Sequence, residues 1–130
     1  LAMFASSSSG YKTRLGVQVE GGNVNTLCMS PALRLAIWEF EGRFGRKVVV
    51  SSGYRTPWDN RAVGGASASY HTKCMAADFF IPGVAKAELV KFARGLPNVG
   101  GLGCYWGRKF IHIDVRQRPR GYNQPVTWSC

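Results

Sequence analysis

The chain has 130 residues, of which 45% are hydrophobic and 12% aromatic, the size and composition of one ordinary globular domain. No apolar run approaches the ~20 residues that a membrane-spanning helix requires, so the sequence predicts no stable membrane insertion. Seventeen Lys and Arg against seven Asp and Glu give a formal charge of +10, which favours an anionic partner such as nucleic acid, an anionic lipid surface or an acidic cell-wall polymer.

The N-terminal segment differs in character from the rest of the chain. Residues 1–10 contain four consecutive serines and lack a starting methionine. We interpret them as a disordered linker or a processed N-terminus that precedes a single domain at residues 11–130.

The four cysteines contain no CxxC pair, which favours two disulfides in an oxidising compartment over a zinc knuckle. They are Cys28, Cys74, Cys104 and Cys130. Three pairings are possible, and the spacing does not choose among them.

The first predicted elements are a helix and a strand. Ser30 followed by Pro31 is a helix start, because serine caps free amides and proline fits the first helical position. One apolar stripe follows at helical spacing and ends near residues 42–45. It consists of Leu33, Ile37, Phe40 and Phe44. The β-branched run at 47–51 predicts a buried strand, and residues 53–69 predict a long ordered loop, a kind of segment that is often functional.

The second half of the chain repeats this alternation. Residues 75–81 predict a strand and 84–96 a helix, after which 102–106 and 110–115 predict a hairpin with a turn at 107–109. The fold class is therefore α+β, with a small, mostly antiparallel sheet and two principal helices.

The only two histidines each lie near a carboxylate, His71 before Asp78 and His112 before Asp114. Two imidazoles and one carboxylate are the protein ligands of an open zinc site. On a strand, His112 and Asp114 share one face, and Asp78 in an apolar strand needs a partner, since burying a bare carboxylate costs several kcal/mol. The alternative is a loop histidine, a hydrogen-bonded buried acid and a core histidine; spacing alone does not decide.

Several separated motifs occur in the order found in one enzyme superfamily. They are SGYR at 52–55, Asn60, VGG at 63–65, SYH at 69–71, AAD at 76–78, GLGCY at 101–105, FIHIDV at 110–115 and Trp128. Over residues 30–128 the chain resembles the zinc D-alanyl-D-alanine carboxypeptidases and murein endopeptidases, nearest the periplasmic murein endopeptidase branch. The resemblance implies a hedgehog/DD-peptidase-like fold.

The resemblance also implies roles for individual residues. His71, Asp78 and His112 would bind Zn²⁺ and leave one position for water, which the metal activates. Arg55 would hold a substrate carboxylate or the developing oxyanion. Many relatives carry a histidine two residues before the last ligand, or a glutamate three before, as general base. Phe110 and Lys109 stand there in this chain.

The missing base leaves Asp114 as the candidate for accepting a proton, with orientation of His112 and a purely structural role as alternatives. Asn60 and Ser69 match motif positions and would orient ligands or substrate, unless they only form bonds within the loop. Tyr105 is one of several aromatic residues that would line a substrate groove, although core packing is the usual role of such residues.

Cys74 stands where the family has a glycine. We interpret it as a disulfide half-site that braces the metal loop, with Cys104 as the suggested partner. A thiolate near the zinc is the alternative.

The sequence therefore predicts a zinc metallopeptidase that hydrolyses amide bonds in peptidoglycan stem peptides or crosslinks, located in the periplasm or secreted. The alternatives are a D,D-carboxypeptidase of the same superfamily and a catalytically silent peptidoglycan-binding domain. A basic nucleic-acid binder is a third reading, but no nucleic-acid-binding motif is visible. We expect murein peptides as partners, no nucleic acid, and a monomer.

Overall fold

The structure, a computed structural model, describes residues 11–14, 16–64 and 69–130. The expectation for residues 1–10 lies outside this part of the chain. The described elements, in chain order, are β1 (Lys12–Arg14), β2 (Val17–Val19), α1 (Pro31–Phe44), β3 (Val49–Ser52), α2 (Pro57–Ala62), β4 (Ala76–Phe80), α3 (Lys86–Arg94), β5 (Gly101–Gly103), β6 (Ile111–Asp114) and β7 (Val126–Trp128).

The seven described strands form one sheet in the order β1-β2-β3-β4-β6-β5-β7. The pairs β2–β3 and β5–β7 are parallel, and the other neighbouring pairs are antiparallel. The predicted α+β fold with a mostly antiparallel sheet is therefore confirmed.

Helix α1 begins and ends where its sequence predicts. The Ser30 side chain accepts a hydrogen bond from the Leu33 amide at 3.2 Å, and Pro31 occupies the first turn. Gly45 ends the helix at a φ of 66°, a left-handed conformation that glycine adopts without steric cost.

The hydrophobic core lies between the helices and one face of the sheet. Phe40 of α1 makes edge-to-face contacts with Phe79 of β4 and Phe92 of α3, at centroid distances of 4.8 and 4.9 Å. Ile111 and Ile113 of β6 belong to the same core. Because side chains alternate along a strand, the other face of β4 and β6 is left for polar residues.

Several predicted boundaries were wrong. The segment 53–69 contains α2, whose first turn is capped by the Thr56 hydroxyl accepting from the Asp59 amide at 3.0 Å. A six-residue helix is too short to show an apolar stripe. The strands β1, β2 and β7 were not predicted, because three-residue strands are defined by distant partners rather than by local pattern.

The predicted hairpin is also different in detail. Strands β5 and β6 do pair antiparallel, but residues 104–110 connect them in place of a three-residue turn. Tyr105 has a φ of 46°, and Cys104 forms a disulfide with Cys130. These two features take the chain out of the strand earlier than the sequence pattern indicates. Helix α3 is likewise shorter than predicted.

Two disulfides are present, Cys28–Cys74 and Cys104–Cys130. The suggested pairing of Cys74 with Cys104 is therefore wrong. The segment before α1 runs beside the metal loop, where the Ser30 amide donates to the Cys74 carbonyl at 2.9 Å, so Cys28 reaches Cys74. None of the helices that the structure describes has the length and apolar character needed to cross a membrane.

Candidate metal centre

Strand register brings two of the candidate metal ligands together. Asp78 of β4 lies directly opposite His112 of β6 in the antiparallel pair. His71 lies in a 3-10 turn, Tyr70–Lys73, which immediately precedes β4. Both His71 Nε2 and His112 Nδ1 lie close to Asp78 Oδ1, at 3.1 and 3.0 Å. All three side chains are buried, and their candidate ligand atoms lie within 4.8 Å of one another.

The other nitrogen of each imidazole has its own acceptor. His71 Nδ1 donates to the Gly53 carbonyl at 2.8 Å, and His112 Nε2 donates to Asp114 Oδ2 at 2.8 Å. Carbonyl and carboxylate oxygens only accept, so a neutral ring has its lone pair on the nitrogen that faces Asp78.

Two lone pairs and a carboxylate oxygen thus converge on one point, which is the donor set of a divalent cation site. The residues present fit a zinc ion.

The charges of the cluster stabilise its carboxylates. Burial disfavours ionisation of Asp78, but the hydrogen bonds that His112 and His71 donate when their rings carry a second proton outweigh it and hold the pKa of Asp78 below its usual value. Burial also lowers the pKa of His112, yet hydrogen bonds to Asp114 and Asp78 raise it overall. The pocket therefore holds ionised carboxylate at neutral pH, as a cation site requires.

Arg55 follows β3 and reaches the centre from the side. Its Nη2 lies 3.3 Å from Asp78 Oδ2, and it also donates to Ser52 Oγ and Asn60 Oδ1, both at 3.1 Å. Asn60 is 2% exposed and lies behind Arg55, so its contact is with the arginine and not with the cleft. The side chain of Arg55 is held in one orientation, with one Asp78 oxygen left for a metal.

Asp114 lies on the far side of the His112 ring from Asp78. Besides His112, it accepts two hydrogen bonds from the Arg116 guanidinium, both at 2.7 Å. Burial opposes ionisation, but these bonds with Arg116 and His112 lower the pKa of Asp114 to about 2. A β-carbon at Gly101 would lie 2.3 Å from Asp114 Oδ2, so the neighbouring strand needs glycine there.

Sequence reasoning missed the role of Arg116. Its guanidinium donates two hydrogen bonds to Asp114. It also lies over the rings of Tyr70 and Trp128, 4.4 and 5.0 Å from their centroids. The available signal was the strand alternation, which places residue 116 on the same face as His112 and Asp114.

A cleft with a volume of about 630 Å³ lies above the candidate metal ligands, and Ser69 and Tyr105 both line it. The Ser69 hydroxyl accepts from the His71 amide at 3.2 Å and so begins the ligand-bearing turn. The Tyr105 hydroxyl accepts from Trp128 Nε1 at 2.7 Å, and the Trp128 ring lies 5.0 Å from that of His112. Tyr105 thus forms one wall of the cleft.

An α+β fold in which a buried His-Asp-His group opens onto a cleft has the architecture of an open metal site. The chain belongs to the Peptidase M15 family, whose model matches residues 10–114.

Among curated proteins, it is similar to the peptidoglycan L,D-endopeptidase MepK of Escherichia coli strain K12. The two are 37% identical over 94 residues, which cover 67% of this chain and 51% of the relative. The probable peptidoglycan L,D-endopeptidase MepK of Haemophilus influenzae is 34% identical over 95 residues, which cover 67% of this chain and 50% of that protein. The chain spans about half the length of these relatives.

Proposed function

We propose that residues 11–130 are one zinc peptidase domain that hydrolyses amide bonds in peptidoglycan stem peptides or their crosslinks. The observation that carries the proposal is the convergence of His71, Asp78 and His112 at the floor of a cleft, with ligand atoms within 4.8 Å of one another. Family membership and the peptidoglycan endopeptidases among the relatives support the substrate.

In this proposal the metal is held by His71 Nε2, Asp78 Oδ1 and His112 Nδ1. Zinc bound there would act as a Lewis acid that polarises an amide carbonyl, and it would lower the pKa of a water molecule to about 7. The Gly53 carbonyl and the Asp114 carboxylate fix the two imidazole rings, and Arg55 fixes the second oxygen of Asp78.

Arg55 is the residue we assign to the substrate oxygen. Its guanidinium lines the cleft beside Asp78, and its other donors are anchored on Ser52 and Asn60. A fixed cation at that place stabilises negative charge that develops on a carbonyl oxygen, or binds a substrate carboxylate, without reorganising during the reaction. Asn60 is then a positioning residue for Arg55, and Ser69 one for His71.

We assign Asp114 the role of orienting His112 rather than the role of general base. Both of its oxygens accept hydrogen bonds from Arg116, His112 or both, and the His112 ring separates it from Asp78. A carboxylate whose pKa is lowered to about 2 is also a poor proton acceptor.

The shape of the cleft favours an endopeptidase over a carboxypeptidase. Beyond Arg108 and Phe110 the cleft continues into a second hollow of about 440 Å³ that shares Arg55 and Asp78 with the first. Two adjoining hollows leave more room for a peptide chain than the removal of one terminal residue requires. The two disulfides support an oxidising compartment, which for a murein hydrolase is the periplasm or the cell exterior.

Digestion of purified murein with the zinc-loaded protein, with and without chelator, tests the proposal. We expect crosslinked muropeptides to be converted into monomers, identified by mass, and chelation to abolish the conversion. His112→Ala should be inactive, and Asp59→Asn, which changes an exposed acid on α2, should be fully active. Loss of only a terminal residue would indicate a carboxypeptidase. Binding to murein without any cleavage by the zinc-loaded protein would contradict the proposal and indicate a silent binding domain.

A further inference from the structure

Among the described residues that line the cleft, three arginines differ in their partners. Arg55 donates to Asp78, and Arg116 donates to Asp114. The guanidinium of Arg108 has no carboxylate partner among the residues that the structure describes. Among the cleft arginines that the structure describes, Arg108 is therefore the one whose charge no carboxylate compensates.

The Arg108 side chain lies at the point where the two hollows of the cleft meet, since it lines both. Its guanidinium stacks on Phe110, 5.5 Å from the ring centroid. Phe110 precedes His112 by two residues, so it is on the same face of the chain as the metal ligand. Arg108 is exposed, and the stacking keeps its guanidinium at the rim of the cleft, beside the path of a substrate.

The loop that carries Arg108 is held in place although it is exposed. Lys86 Nζ donates to the Arg108 carbonyl at 2.6 Å and also to the Tyr105 carbonyl. The Arg108 amide donates to the same Tyr105 carbonyl at 2.7 Å, and the disulfide Cys104–Cys130 anchors the start of the loop. A charge on such a loop binds a ligand with little cost in ordering the backbone.

We propose that Arg108 binds a free carboxylate of the substrate peptide and makes the enzyme selective for acidic peptides over their neutral counterparts. The inference rests on the proposed peptidase function and extends it to the choice of substrate. Arg108 is a specificity residue: it contacts the peptide away from the scissile bond, and its guanidinium fork matches the two oxygens of a carboxylate.

The test compares crosslinked muropeptides with the same muropeptides after their carboxylates have been converted to carboxamides. The wild-type protein should hydrolyse the acid form with about a tenfold higher kcat/KM, as expected for one charge-assisted hydrogen-bonded contact. Arg108→Ala should lose this preference, mainly through a higher KM for the acid form. Arg108→Lys should retain part of it, because lysine keeps the charge but not the fork.

Arg120→Ala is the matched control, since Arg120 is an exposed arginine outside the cleft. It should keep the full preference for the acid form. The Arg108 side chain donates no hydrogen bond within the described chain, so its variants should keep the wild-type Tm. An Arg108→Ala protein that retains the preference, or a wild-type protein without one, would overturn the inference.

If the zinc-loaded wild-type protein hydrolyses neither form, the proposed peptidase function is contradicted independently of the role of Arg108. The assignment of Arg108 is then decided by calorimetry with the same two muropeptide preparations. Tighter binding of the acid form by wild type, lost in Arg108→Ala, would support it, and equal binding of both forms would overturn it.

Discussion

Each histidine of the candidate metal centre is oriented by a hydrogen bond on the nitrogen that faces away from Asp78. For His112 that bond runs to Asp114, which Arg116 holds in turn. An imidazole with one nitrogen donating to a fixed carboxylate keeps the other lone pair available, so the residues behind a ligand contribute to metal affinity. The glycine at 101 is part of this arrangement, because any β-carbon there would collide with Asp114.

Replacing Asp114 by asparagine separates orientation from base catalysis. The amide keeps the shape of the carboxylate but loses its charge, so we expect zinc to bind about 10- to 100-fold more weakly. Competition with a chromophoric chelator at neutral pH measures the affinity, and Asp59→Asn serves as control for the loss of one carboxylate. A variant that binds zinc normally yet no longer hydrolyses murein would instead identify Asp114 as the proton acceptor.

At the scale of elements, the ligand-bearing turn Tyr70–Lys73 is short and depends on its neighbours. Ser69 begins it through the His71 amide, and Cys74 ends it in a left-handed conformation with a φ of 61°. The disulfide to Cys28 ties this end to the segment before α1. The disulfide to Cys28 holds Cys74 in this strained left-handed conformation, which a glycine would adopt without strain.

The double variant Cys28→Ala/Cys74→Gly removes the tether without straining the backbone. We expect the free energy of unfolding to fall by about 2–4 kcal/mol and zinc affinity to fall because His71 loses support. Chemical denaturation and chelator competition measure the two effects. The matched variant Cys104→Ala/Cys130→Ala should lose stability but keep zinc affinity near that of wild type. Equal zinc affinity in both double variants would contradict the special role of the first disulfide.

For the molecule as a whole, one buried acid links stability to pH without touching the metal centre. Glu41 of α1 is 2% exposed and accepts from the Val48 amide at 3.0 Å, with Lys47 Nζ at 3.6 Å. Burial raises the pKa of Glu41 above 4.5, and the bonds with Val48 and Lys47 offset only part of the increase. The folded chain therefore holds this proton more tightly than the unfolded chain does.

The sign of the effect follows from that difference. The stabilising contribution of protonated Glu41 is fully present below the unfolded pKa, and it is lost as pH rises through the raised folded value. Glu41→Gln should abolish this loss, so its free energy of unfolding relative to wild type should increase as pH rises through the raised pKa of Glu41. Denaturation with chelator present measures it. Glu39→Gln on the same helix is the control, and a pH-independent difference for Glu41→Gln would refute the linkage.

The extent to which the sequence was predictive depended on the range of the interactions. Helix α1 was predictable because its cap at Ser30, its apolar stripe and its terminal Gly45 all lie within the helix or beside it. The strand alternation around His112 was predictable for the same reason. The candidate ligand set came from the resemblance carried by the order of several motifs, since the spacing of His71 and Asp78 alone left a structural role open.

The sequence by itself determined the fold class, the principal helices and the central strands, because propensity, capping and side-chain alternation act between residues close in the chain. It gave the candidate His-Asp-His group only through the resemblance that its separated motifs carry. The tertiary structure decided the disulfide pairs, the strands β1, β2 and β7, the two hydrogen bonds from the Arg116 guanidinium to Asp114, and the position of Arg108, which has no carboxylate partner in the described part of the chain. These features depend on contacts between segments that are distant in the sequence, such as the contact between Cys28 and Cys74. Such contacts follow from the packing of the whole core rather than from any local pattern.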